Sequence, residues 1–200
     1  MNQNREKFIQ LLKNTKRKGV DETIEGLDKL GFFNAPASTI YHGCYDGGLL
    51  EHSLNVYQQM MYLRKVEIKI KPELETELSE ESCIIVSLLH DVCKSDLYEK
   101  TTKWRKDAEN KWEQYETYKK VFKTLCVGHG MRSVVMLLRM GLQLTDQEIV
   151  AINWHMGAFD VSQYDDSSKG FNESCSSNAL AATLVSADWL ASKITERSLK

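Results

Sequence analysis

Two hundred residues carrying 26 Lys and Arg against 28 Asp and Glu give a formal net charge of −2, and the length suffices for one domain with a real core. That balance argues against a stand-alone nucleic-acid module held by a broad basic face, while leaving room for a local phosphate pocket. The five cysteines, Cys44, Cys83, Cys93, Cys126 and Cys175, are odd in number and lack CxxC spacing, which fits neither a disulfide framework nor a cysteine-rich zinc site, so reduced thiols in a cytoplasm are expected.

Met1 to Gly19 is polar and charged, without an apolar core of signal-peptide length, and no later stretch is long enough to span a bilayer; no membrane partner is expected. With only two prolines, Pro36 and Pro72, the apolar periodicity predicts an all-α fold with helices at roughly 3–15, 22–31, 48–68, 79–94, 115–125, 129–140, 145–156 and 176–196. Lys16-Arg17-Lys18 reads as a solvated helix end. Between about 101 and 116, large and polar residues alternate around a turn-prone centre, predicting a small β-hairpin in which Trp104 and Trp112 pack across the strands. Thr145-Asp146-Gln147-Glu148 has the form of a capping box. Tyr164 to Gly170 reads as a polar loop.

Chemistry enters through the histidines. Of the five, His52, His90, His129 and His155 stand at the ends or on the inner faces of predicted helices. A single histidine on an apolar face is usually a satisfied core residue, but four together with acidic groups in equally apolar contexts point to a metal centre. Asp91 follows His90 at the end of the run Ile84 to Leu89. Adjacent helical residues project about 100° apart, so the pair can offer nitrogen and oxygen to a common point between helices. Asp188 lies inside Leu180 to Ala191 with no Lys or Arg one turn away, and a buried carboxylate must be protonated, paired or bound to a cation. Mixed imidazole and carboxylate donors suit one or two divalent ions drawn from Fe, Mn, Co, Ni or Zn.

The order His52, then His90-Asp91, then Asp188 resembles that of the HD-domain metal-dependent phosphohydrolases. The likeness rests on Gly47-Gly48-Leu49-Leu50-Glu51-His52-Ser53-Leu54, Leu88-Leu89-His90-Asp91-Val92-Cys93-Lys94, Gly128-His129-Gly130, Trp154-His155-Met156-Gly157 and Ala187-Asp188-Trp189-Leu190-Ala191. The resemblance implies an HD-type helical bundle over residues 41–200, with residues 1–40 as a helical extension packed on it. It implies one metal held by His52, His90, Asp91 and Asp188, and a second reached by His129 and His155, with Asp91 bridging. Met156 departs from the double-histidine form seen in some relatives, which leaves the second site one ligand poorer. The first of these stretches is similar to the HD domain of a bacterial 3′-to-5′ exoribonuclease family, but no OB-fold precedes it in these residues, so nuclease activity is not carried over.

The activity so implied is hydrolysis of a nucleotide or other small phosphoester, with Asp91 and Lys94 as catalytic groups and Lys94 and Arg132 binding the phosphate. Lys94 follows Asp91 by three residues and Arg132 follows His129 by three, which places a cation beside each proposed ligand. His42 and Glu51 flank His52 and are candidates to orient it. Two rival readings use the same residues: an HD-type di-iron oxygenase, and a module that binds metal and nucleotide without turnover. Oligomeric state is not legible.

Overall fold

The computed structural model describes residues 2–39, 43–121, 125, 127–157 and 166–197. Eight α-helices occur among them: α1 (Asn2–Asn14), α2 (Val20–Leu30), α3 (Gly48–Ile70), α4 (Glu80–Leu89), α5 (His129–Arg139), α6 (Asp146–Trp154), α7 (Ser167–Ser177) and α8 (Ala179–Leu190). An antiparallel hairpin, β1 (Tyr98–Lys106) and β2 (Trp112–Lys120), separates α4 from α5. The expected all-α class with a small hairpin is therefore the observed one. No helix is long and apolar enough to cross a membrane among the described residues.

α4 is the axis of the bundle. Every residue from Cys83 to Leu89 is buried, as befits a helix that is apolar on all sides. α3, α6 and α8 pack around it, and α5 packs on α6. Phe8 and Leu12 of α1 and Leu27 of α2 share one continuous core with Leu49, Ile85, Leu88 and Leu184.

Four local readings change. The helix expected over 79–94 ends at Leu89, and a 3₁₀ turn (Val92–Asp96) follows. That break swings Asp91 out of the helical ladder and into the centre of the molecule. The helix expected over 115–125 is instead strand β2 up to Lys120, since the alternation that marks the hairpin continues and pairs Tyr98 with Lys120. In the stretch read as a loop, α7 begins at Ser167; Tyr164 and Asp165 lie outside the described residues, as does His42. The helix expected from 176 starts at Ala179, where the Asn178 side chain accepts hydrogen bonds from the amides of Leu180 and Ala181.

Arg17 is no solvated helix end. Its guanidinium forms a fork with the buried Glu148 carboxylate at 2.7 and 2.9 Å and reaches Glu81 at 2.6 Å. Glu148 also completes the expected capping box with Thr145 and accepts from Ser82. One carboxylate thus ties the turn after α1 to α4 and α6. Trp104 and Trp112 stand on one face of the hairpin, each more than half exposed. Lys106 lies over the Trp112 ring.

Candidate metal centre

Five helical segments deliver the side chains. His52 comes from the buried face of α3, His90 and Asp91 from the end of α4, His129 from the first residue of α5, His155 from the end of α6, and Asp188 from α8. Gly130 makes one approach feasible. A Cβ there would sit 2.2 Å from the Asn153 carbonyl oxygen and 2.4 Å from that of Ile152, so only glycine lets the start of α5 abut the end of α6. His129 and His155 are consequently neighbours, their rings 5.4 Å apart. Gly48 similarly lets the start of α3 close on Gly43, whose carbonyl oxygen would lie 2.1 Å from an added Cβ.

Asp91 is 1 % exposed and lies between two sets of imidazoles. Its Oδ2 is 3.4 Å from His52 Nε2 and 3.3 Å from His90 Nε2, and its Oδ1 is 2.6 Å from His129 Nε2 and 3.3 Å from His155 Nε2. On the first side the His52 and His90 Nε2 atoms are 3.3 Å apart, and Asp188 Oδ1 is 3.2 Å from His52 Nε2. Donors at about 2.1 Å from a common ion are about 3.0 Å apart across a right angle and about 3.4 Å apart in a tetrahedron. His52, His90 and Asp188 bring donor atoms within 4.8 Å of one another, as do His90, Asp91 and His155, so each trio can gather around one small divalent cation.

Hydrogen bonds on the outer nitrogens support the same fit. His90 Nδ1 donates to the Ser87 carbonyl at 2.9 Å and His155 Nδ1 to the Ile152 carbonyl at 2.7 Å. His52 Nδ1 faces the Glu196 carboxylate at 3.0 and 3.2 Å. An imidazole whose Nδ1 carries the proton presents a lone pair at Nε2, so three rings aim acceptors at the centre. His155 Nε2 is fully buried and faces only Asp91 Oδ1, at 3.3 Å and without a well-aligned hydrogen bond, a position a cation between the two would also satisfy.

Protonation of the cluster without metal follows from the same packing. Burial opposes a charge on His52, but hydrogen bonds to Asp188, Asp91 and Glu196 outweigh it and hold its pKa well above the usual value. His90, with burial dominant, is pushed down. His129 is raised to about 9, since the bond to Asp91 overcomes burial. Asp91 itself is held well below the carboxylate range: burial is outweighed by Lys94 and the surrounding histidines. Asp188 is also lowered, through His52.

All six expected ligands thus come together. Lys94 joins them, its Nζ 2.6 Å from Asp91 Oδ2. Arg132 faces Asp96 instead, at 2.7 Å, and lines a groove with Gly26 and Met140. Sequence reasoning missed Glu196, which lies in a polar stretch eight residues beyond Asp188 and is returned to His52 by a π-helical turn (Ala191–Thr195). It also passed over Cys93, whose thiol lies 3.3 Å from His129 Nδ1.

Among known proteins, the chain is 33 % identical over 96 residues to the dihydroneopterin 2′,3′-cyclic phosphate phosphodiesterase of Methanocaldococcus jannaschii. The match takes in 45 % of this chain and 34 % of that protein, so the chain spans about a third of the length of the relative it matches. No family model and no solved structure matches it.

Proposed function

We propose that the chain is a metal-dependent phosphohydrolase of the HD type, acting on a phosphodiester or phosphomonoester of nucleotide size. The observation that carries this reading is Asp91: a single buried carboxylate with one oxygen toward His52 and His90 and the other toward His129 and His155. His52, His90, Asp91 and Asp188 would hold one ion, and Asp91, His129 and His155 a second. Such ions supply positive charge to the phosphoryl oxygens and a water acidic enough to attack phosphorus near neutral pH.

The chain's own groups prepare that centre. Glu196, the Ser87 carbonyl and the Ile152 carbonyl fix three imidazoles in the tautomer that faces inward. Lys94, its side chain 11 % exposed, lies beside Asp91 and is held protonated by it. It offsets the carboxylates and offers a donor to a phosphate oxygen on the same side. Arg132, one turn beyond His129, is the proposed second phosphate contact, which requires it to turn from Asp96. The activity of that relative, a 2′,3′-cyclic phosphate phosphodiesterase, supports a 2′,3′-cyclic phosphate as the first substrate to try.

Purified protein, stripped of metal and reloaded in turn with Mn, Fe, Co, Ni and Zn, is assayed both without oxygen and in air against cyclic and linear nucleotides. Metal-dependent phosphoester cleavage is the expected result. Binding of nucleotide without product from any of them contradicts hydrolysis, and turnover that consumes oxygen assigns the centre to oxidation instead.

A further inference from the structure

Outside the metal centre, a groove of about 400 Å³ is lined by Gly26 and Lys29 of α2 and by Arg132, Met136, Arg139 and Met140 of α5. The four α5 residues follow at helical spacing and form one stripe of that helix. Gly26 closes α2 upon Met140, whose Sδ would lie 2.8 Å from an added Cβ. Three of the lining side chains are cationic, against a single carboxylate, Asp96. Arg132 is only 7 % exposed. Its Nη2 meets Asp96 at 2.7 Å, while its Nε is buried with no hydrogen-bond partner among the described residues. Such a guanidinium is only partly satisfied and favours a further acceptor. Lys29 and Arg139 stand exposed, and the contact of Lys29 with Glu25, at 3.7 Å between exposed side chains, is too wet to hold the ammonium.

The geometry points to a binding site here for a nucleoside monophosphate, its phosphate among Lys29, Arg132 and Arg139 and its base against Met136 and Met140. The volume lies within the range of small-molecule pockets. Guanidinium forks match phosphate oxygens, and thioethers adapt to flat rings and pack favourably against them. The demand for an anion with an apolar body comes from the groove alone; the choice of a nucleotide rests on the function proposed above. Arg132 lies one turn beyond His129, so a ligand here draws on the same guanidinium that the metal centre would use.

Full-length protein with isotope-labelled methionine methyls is titrated with adenosine monophosphate, adenosine and inorganic phosphate, in chelator and again with zinc, and followed by NMR. In chelator, adenosine monophosphate should bind saturably and shift the Met136 and Met140 methyl resonances, assigned through Met136→Leu and Met140→Leu. Met60, fully buried in the core on α3, should not move. Adenosine and phosphate alone should each bind at least about tenfold more weakly, and Lys29→Glu and Arg139→Glu should each weaken the monophosphate about tenfold, the loss of one charge-assisted contact. A monophosphate that binds only with zinc, leaves both methyls unmoved or ignores both charge reversals sits at the metal centre; that overturns the groove and leaves the centre standing. No binding under either condition also overturns the inference. Groove binding in a protein that cleaves no phosphoester supports the site and removes the hydrolysis proposed above.

Discussion

Replacing Asp91 by Asn changes almost no volume but removes the one negative charge shared by both halves of the centre. Lys94, with 11 % of its side chain exposed and its ammonium 2.6 Å from Asp91 Oδ2, loses its closest counter-charge. Removing one partner of a buried pair costs about 3–5 kcal/mol. For a chain of this length each kcal/mol moves the melting midpoint by about 2–4 °C, so the metal-free variant should melt roughly 6 to 20 °C below the metal-free wild type. In the presence of metal the gap should widen, because the amide is a poor bridge and binding no longer stabilises the fold. Thermal melting with chelator and with added zinc, alongside elemental analysis, measures both effects. An Asp91→Asn protein that melts with the wild type in chelator and still carries two ions refutes the placement of Asp91 as the compensated, shared ligand.

Glu196→Ala should weaken metal binding by about 10- to 100-fold through loss of the His52 orientation; chelator competition gives the affinity, and an unchanged value removes Glu196 from the centre. Arg17→Met leaves the fully buried Glu148 without its fork and should cost about 3–5 kcal/mol in urea denaturation, with metal content unaltered; a loss under about 1 kcal/mol contradicts the structural role given to that pair. The metal-free protein should lose stability as pH rises from about 6.5 to 9. His129 binds its proton more tightly folded, at about 9, than unfolded, at about 6.5, so its contribution is complete below about 6.5 and gone above 9. That is on the order of 3 kcal/mol. His52 and His155 are raised and act in the same direction, whereas the lowered His90 acts below about 6.5. Denaturant midpoints in chelator that stay flat or rise across this window refute it, and saturating metal should abolish the decline.

That these six side chains would meet was legible because imidazole and carboxylate in apolar helical runs are costly unless something satisfies them, and that cost is visible in the sequence itself at Asp188 among Leu180 to Ala191. The capping box at Thr145 was legible for the same local reason. What escaped depends on contacts far apart in the chain. Glu196 reaches His52 across 144 residues, and Arg17 reaches Glu148 across 131. Helix α4 ends at Leu89 and the 3₁₀ turn that follows leaves Asp91 among four histidines, which no periodicity reveals, and β2 runs to Lys120 because pairing with β1 outweighs helical spacing.

Equilibrium dialysis of the metal-free chain against Zn or Co, with ions counted per chain, tests the convergence of these side chains most directly. Two ions are expected in the wild type, one when His155 is replaced by Ala, and none held tightly when Asp91 is. A wild-type protein that retains no divalent ion above the dialysis background contradicts the centre and the hydrolysis built on it.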